Sequence, residues 1–556
     1  MAAAVSFATP AQAQVPSSAE PSRVGGQIAP MPTTQLPEIG GKIETGGTIT
    51  APPGAENVQL VLNGVEIEGQ SIYDPVVLSA AYSNMIGKTV TLADVFGIAD
   101  RLTAKYRNDG YILTQVIVPP QTIDDGRIKL RVVEGYVDQI FFQGNKRGNS
   151  SWLEGFAKKI KAAKPLNAKT LERYVLLIND LPGLQARAVL SPSPDKPGAS
   201  DITIVVEQKL IDGFSQIDNR GTYFLGPLQV NAGVRINNLI GLYEGLNMQV
   251  VFAPDNWVDD KPELAFYSFT WQQPLNREGT VLSIGGSFTE THPEYTLTPF
   301  DVDGIAKAIN VELSHPFIRS RSMNLFTSLK FNFLNTHRND NLATGGADDR
   351  LRVLRAGGTF QFADSLLGIN TLTGEVSQGL DVLNASQKPG TFPTRALGEP
   401  EFFKVTAEVS RVQRITQHLE AYFAAAGQYS AHALLASEEF GVGGASFGSA
   451  YDNSEITGEN GFAGRFEMRL NNPVSFQPFL NNYQFYGFTD GGQVYDRDNA
   501  TPKARKRSLV SAGGGLRLDL NEHFSGSFEV AVPLTAPVAT ELDKDPRYFG
   551  AVSARF

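Results

Sequence analysis

Beyond Lys209 the chain alternates. Across Leu228–Asn237, Leu228, Val230, Ala232, Val234 and Ile236 fall on one face, and Gln229, Asn231, Gly233, Arg235 and Asn237 on the other. Near the end, Val510, Ala512, Gly514, Leu516, Leu518 and Leu520 oppose Ser511, Gly513, Gly515, Arg517 and Asp519. A period of two is that of a strand with one apolar face. It persists to Phe556 almost without helical periodicity, and connections such as Asn335–Arg350 and Asp496–Arg507 are long and polar. So many strands, with Gly, Ser, Asn and charged residues on the second face, predict a transmembrane antiparallel β-barrel whose interior is wet. Leu228, Val230, Val234, Ile236, Leu516, Leu518 and Leu520 are then expected to face lipid, and Asn231, Arg235, Arg517 and Asp519 the lumen. An arginine at Leu518 is expected to cost ~2–4 kcal/mol if that residue lies near the midplane.

Before Lys209 the period changes. Asn57–Gly69 reads as a strand. Val95, Ile98, Ala99, Leu102 and Tyr106 then recur at helical spacing, behind Thr91 and Asp94, which suit an N-cap and capping box. Asn108-Asp109-Gly110 ends that helix. Tyr111–Val118 and Arg127–Val133 read as strands joined at Asp124-Asp125-Gly126. The order recurs: a strand at Val137–Asn145, a helix carrying Leu171, Tyr174, Val175 and Ile178 on one face, and strands at Leu184–Ser193 and Ser200–Lys209. Two α+β units of roughly 75 residues are one plan used twice.

The first residues alter the compartment. Ala2–Ala8 is small and apolar, and Ala11-Gln12-Ala13 resembles a signal-peptidase site without the basic region that usually precedes it. Residues 1–13 are expected to be the remnant of a secretory leader, and residues 14–55, rich in Pro, Gly, Ser and Thr, a linker. The absence of cysteine suits an oxidising compartment and excludes thiolate metal sites. With 48 basic and 58 acidic side chains the net charge is −10, which argues against a nucleic-acid partner. No window of 18 residues is continuously apolar, which says nothing against a barrel.

Candidate chemistry is sparse. Gly444-Ala445-Ser446-Phe447-Gly448 fits the G-x-S-x-G pattern of a nucleophilic serine, but that motif needs a helix behind it, and the following residues are rich in Gly, Asn and Asp. The six histidines lack zinc spacing. There is no phosphate-binding P-loop, and Asp496-Arg-Asp-Asn lacks the glycine and distal glutamate of a calcium loop. No catalytic residue, metal or cofactor is expected, and the chain is not expected to be an enzyme.

Three segments, in this order, carry a resemblance: Asp218–Pro227 (DNRGTYFLGP), Gly443–Gly461 (GGASFGSAYDNSEITGENG) and Tyr486–Tyr495 (YGFTDGGQVY), the last containing Phe488-x-Asp490-x-Gly492. With two repeats ahead of them, and a final run in which Tyr548, Gly550, Val552, Ala554 and Phe556 share a face, they resemble the TpsB outer-membrane transporters of two-partner secretion. The resemblance implies two periplasmic POTRA domains (56–135 and 136–209) and a barrel of about 16 strands over 210–556, with a loop at about 440–462 folded into the lumen. It also implies export of a large secreted partner, of haemolysin or adhesin type, without ATP. A barrel assembly factor of the same superfamily, or a passive porin or receptor, is the alternative. The implied partners are the secreted protein, outer-membrane lipid and the barrel assembly machinery. The functional residues it implies are Gly443, Gly444, Gly448, Ser449, Tyr451 and Asp452 on the loop, and Phe488, Asp490 and Gly492 on the wall. In the family an arginine at the loop tip reaches the wall aspartate; here that position is Ser449. Asp490 is therefore expected to take a bond from Ser449 or Tyr451, or a charge from Arg465 or Arg469. Ser449→Arg is expected to tighten the loop.

Overall fold

The computed structural model describes residues 15–28, 51–144, 147–196, 198–253, 261–341, 346–387, 393–476, 480–497 and 506–556. The leader assigned to residues 1–13 and most of the assigned linker lie outside them.

Each repeat folds as a mixed sheet backed by helices. In the first, Gly64–Glu68 pairs in parallel with Arg127–Val133, which pairs antiparallel with Gln115–Ile117. In the second, Tyr136–Gln143 runs parallel to Ala199–Gln208, whose other edge carries Leu184–Pro192. The capping box forms as the sequence predicts: Thr91 accepts from the Asp94 amide while Asp94 accepts from the Thr91 amide, opening the helix Leu92–Asn108. Such a cap is worth ~1 kcal/mol. That helix buries Val95, Ile98, Ala99, Leu102 and Tyr106 against Ile128, Leu130 and Val132. Two expected strands are cut down. Asn57–Gly69 breaks into Gln59–Val61 and Gly64–Glu68, and Tyr111–Val118 keeps only Gln115–Ile117, because Tyr111–Thr114 makes a turn behind the helix.

Sixteen strands then close into a barrel. All neighbours are antiparallel, and the first strand, Ile211–Asp218, meets the last, Arg547–Arg555, to complete the circle. Alternation fixes the register as expected. Arg517 reaches Glu467 and Gln484 inside, whereas Leu516 lies opposite Phe485 and Phe528 on the outer face. Leu518 faces outward, but it is one residue from the periplasmic end of the fourteenth strand, Lys506–Asp519, so it is not at the midplane. The sixth, seventh and eighth strands (Asp303–Arg319, Met323–Asn339, Ala347–Ala363) have 17 residues each. At about 3.3 Å per residue, and even when tilted, they outrun the membrane and project beyond it on the external side.

One assignment is overturned. Residues 15–28, read as linker, are ordered inside the barrel, with a helix at Pro21–Gln27. Val15, Ala19 and Val24 pack on Phe224, Leu225, Val251, Leu264 and Phe266 of the inner wall. Arg23 donates to the carbonyls of Ala436 and Glu439 and to Ser454 Oγ, and Glu20 pairs with Arg338. A segment short of apolar residues becomes helical here because the wall supplies the partners its own sequence lacks.

Candidate functional site

The sixth external connection, between Leu419–Ser430 and the twelfth strand Asn460–Phe476, turns back into the lumen. Phe440–Val442 and Ile456–Gly458 pair as a short antiparallel neck, and the residues between them form the tip. The tip is possible because its backbone can turn where side chains would collide. Gly443 has φ 122°, and a Cβ there would sit 2.1 Å from the Asp452 carbonyl; Gly448 has φ 88°, and its Cβ would sit 2.5 Å from Leu509. Gly444, with φ 96°, lies against Asn453 in the same way. These are left-handed conformations that favour glycine. No helix follows Ser446, whose chain continues through turns to Ser454, so the serine-hydrolase pattern lacks its supporting element.

The wall under the tip is made by the twelfth strand and the thirteenth, Leu480–Tyr495. Asp490 lies directly opposite Arg465 on one side and Ser511 on the other. It is the hub of the site. Ser449 donates its backbone amide to both Asp490 oxygens (3.1 and 3.2 Å) and its hydroxyl to Oδ2 at 2.5 Å. Ser511 donates to Oδ1. Arg465 Nη1 donates to Asp490 Oδ2 at 3.0 Å and to Ser449 Oγ at 2.7 Å. Its other face goes to Glu467 Oε2 at 2.8 Å, and its guanidinium lies 4.3 Å from the ring centre of Phe488. Ser449 and Asp490 are buried, at 0% and 4% exposure, so a carboxylate here requires this full set of donors.

The remaining predicted residues fall into place around that hub. Tyr451 does not reach Asp490. Its hydroxyl donates to the Ala536 carbonyl at 3.0 Å and accepts from the Ala536 amide at 3.2 Å. Asp452 accepts from Arg547 at 2.9 Å and Thr540 at 2.7 Å, tying the loop to the last strand and the connection before it. Gly492 leaves room for Phe462 and Ala463, since a Cβ there would be 2.6 Å from the Phe462 carbonyl. Of the two arginines expected to substitute at Asp490, only Arg465 does so; Arg469, two pleat repeats further along, binds Glu467 at 2.7 Å and covers Tyr422. With the cation already in place, the expectation that Ser449→Arg tightens the loop fails: it would put a second guanidinium into a fully buried position.

Sequence reasoning missed Arg220, Ser511, Glu467 and Glu529. Arg220 donates to the Ser449 carbonyl at 3.2 Å and to Glu529, and stacks 3.9 Å from the centre of Phe549. It lies within the quoted DNRG segment, so its motif was visible while its contact was not. Glu467 had a signal as well: Arg465, Glu467 and Arg469 alternate on one strand face, a pattern that pairs charges across a lumen.

Taken together, a plugged 16-strand barrel behind two repeated α+β domains defines an outer-membrane transport barrel with periplasmic POTRA domains. A family model described as haemolysin secretion/activation protein ShlB/FhaC/HecB matches residues 198–518, and one for the ShlB-type POTRA domain matches residues 60–135. The chain belongs to this haemolysin secretion/activation family, the TpsB transporters. It is 22% identical over 489 residues to the heme/hemopexin transporter protein HuxB of Haemophilus influenzae, covering 85% of this chain and 82% of that one. It is 23% identical over 514 residues to the outer membrane transporter CdiB of Escherichia coli, covering 88% and 82%. Its fold is similar to that of solved CdiB from Escherichia coli (TM-score 0.73, 20% identity, 92% and 94% covered) and of CdiB from Acinetobacter baumannii (0.64, 18%, 93% and 95%).

Proposed function

We propose that this transporter exports one large partner protein from the periplasm to the cell exterior, and that release of the in-folded loop from Asp490 opens the path. The observation that carries this reading is how the loop is held. The tip's hold on Asp490 is made by hydrogen bonds, which water can replace as the tip leaves, while Phe447, Ala450 and Tyr451 also pack with Phe488, Leu509 and Phe549 of the wall. The wall keeps its own charge pair, Arg465–Asp490, so loop departure does not strand a buried carboxylate. Incoming chain is expected to be held by strand addition at sheet edges of the POTRA domains, where Phe141 and Val189 stand exposed. Folding of the partner outside buries its apolar surface and makes passage one-way without a nucleotide. No covalent step is assigned to any residue.

The test is co-expression with a large β-helical secreted protein encoded beside this chain, assayed in the medium at equal barrel abundance. Export is expected with the full chain and lost when residues 56–209 are removed. A partner that stays periplasmic with the intact, folded barrel would refute the proposal.

A further inference from the structure

The outer face of the sixth, seventh and eighth strands changes character along one row. Ile309, Val311 and Leu313 point outward in the sixth strand, and Phe331 and Phe333 in the seventh; in the eighth, Leu354 lies opposite Phe331, and the buried Arg352 lies opposite Phe333 with its guanidinium 3.3 Å from that ring centre. The next row towards the exterior reads Lys307, Asn335 and Arg350, each directly opposite the next across adjacent strands. These are outward positions, since Lys307 shares its face with the exposed Ile309 and Val311. Lys307 is exposed, and its ammonium lies 5.8 Å from the ring centre of Phe288. Asn335 accepts from Arg352 at 3.0 Å, and Arg350 is 40% exposed, 3.4 Å from Asp348.

The level of this row is set by its distance along the strand and by an aromatic. Lys307 stands twelve residues from the periplasmic end of its strand at Arg319, about 30 Å along the membrane normal for a strand tilted by about 40°, and it is in register with Phe288, a ring of the kind that flanks the apolar band of a barrel. From Lys307 an apolar groove runs along the same face, lined by Ile309, Phe269, Tyr267, Val250 and Val234 and reaching Phe214 and Phe556 where the barrel closes. Gly286, between Phe269 and Ile309 in register, lets the Phe269 ring lie against the sheet, where a Cβ would come within 2.8 Å of it.

We infer that this row and groove bind a phosphorylated glycolipid of the outer leaflet, with its phosphates on Lys307 and Arg350 and an acyl chain in the groove. Strands are about 4.8 Å apart, so the two cations stand about 10 Å apart, within reach of one headgroup bearing two phosphates. A lone cation facing lipid is a cost; one at the headgroup level beside a phosphate is a charge-assisted contact. An apolar groove below it gives such a lipid both of its halves.

Native mass spectrometry of the detergent-purified full chain tests this with bis-phosphorylated lipid A as probe. The Lys307→Gln/Arg350→Gln pair is expected to lower bound lipid A about tenfold, with folding verified by heat-modifiable gel mobility. Ala232→Trp, which fills the groove, is expected to lower it without touching a charge. Dephosphorylated lipid A is expected to bind weakly and equally to wild type and the charge variant. Phosphatidylglycerol is expected to show no dependence on the two cations, and inorganic phosphate to displace nothing. Unchanged lipid A binding by the folded charge variant would overturn the site. Equal dependence of phosphatidylglycerol on the two cations would overturn its assignment to a glycolipid.

Discussion

At Asp490 one carboxylate collects donors from three places: the loop (Ser449) and the two strands flanking its own, the twelfth (Arg465) and the fourteenth (Ser511). Removing the two ends of the ion pair is therefore not equivalent. Arg465→Ala leaves the buried Asp490 without its cation, while Glu467 keeps Arg469 and Arg517, a loss of about 3–5 kcal/mol by the cost of an uncompensated buried charge. Asp490→Ala leaves Arg465 with Glu467 at 2.8 Å and Glu529 at 4.0 Å, so the loss is about 1–3 kcal/mol, mostly from loop donors that no longer have an acceptor. The chain has no cysteine, so thiol labelling of a single Ala450→Cys, a fully buried position, reads loop release directly. Both variants are expected to accelerate it, Arg465→Ala more. Ser449→Arg is expected to accelerate it too, and Ser449→Arg/Arg465→Ser to bring it back towards wild type by moving the cation from wall to loop. Equal labelling in wild type and all four variants would remove the ion pair from the account of how the loop is held. The aspartate was legible in the sequence because its motif has a fixed spacing. Arg465 could be named but not chosen over Arg469 until strand register placed only the former across from Asp490.

Among elements, the barrel strands were readable because alternation survives every loop, and the lumenal helix was not. Pro21-Ser-Arg-Val-Gly-Gly-Gln has two glycines and one large apolar residue, so propensity and periodicity both argue against a helix. Its stability comes from the inner wall and the loop neck. Arg23→Ala removes its contacts to Ala436, Glu439 and Ser454 and is expected to raise the conductance of the barrel in planar bilayers; unchanged conductance would mean the apolar contacts of Val15, Ala19 and Val24 suffice. Depth along a strand was equally hidden, since alternation gives the face and not the level. Leu518→Arg, near the periplasmic end, is expected to lower folding stability in lipid vesicles by ~0–1 kcal/mol, and Leu516→Arg, two residues deeper, by more than that but less than the ~2–4 kcal/mol of the midplane. The reverse ranking would show that the band sits lower on the fourteenth strand.

For the whole molecule, the second POTRA domain is fixed to the barrel. Arg319 meets Asp180 through two bonds of 2.8 and 2.7 Å, the bidentate geometry that gives both strength and direction. Arg277 covers Trp152 at 4.3 Å, and Tyr243, from another barrel turn, is buried in the domain's own core. None of this was legible from the sequence, because each contact joins residues of different domains, with Arg319 and Asp180 139 positions apart, and no local pattern links them. Glu278, in the turn before the fifth strand, gathers Lys159 at 3.0 Å, Tyr174 at 3.2 Å and Arg173 at 3.6 Å. Burial alone would raise its carboxyl; the bonds and charge of Lys159, with Tyr174 and Arg173, overcome that and hold it below its ordinary value of 4.5. A depressed carboxyl contributes stability that is complete above 4.5 and is lost as the pH falls through the lower value of the docked state. Docking is thus expected to be unaffected between pH 8 and pH 5.5 and to loosen only as the pH falls below 4.5. Spin labels on Ser191→Cys in the domain and Ser322→Cys in a barrel turn report it: a narrow distance distribution at neutral pH should broaden in acid. Glu278→Gln should be broader than wild type at neutral pH and change less on acidification. If wild type and Glu278→Gln broaden alike, the pH response arises elsewhere and Glu278 does not hold the domain to the barrel.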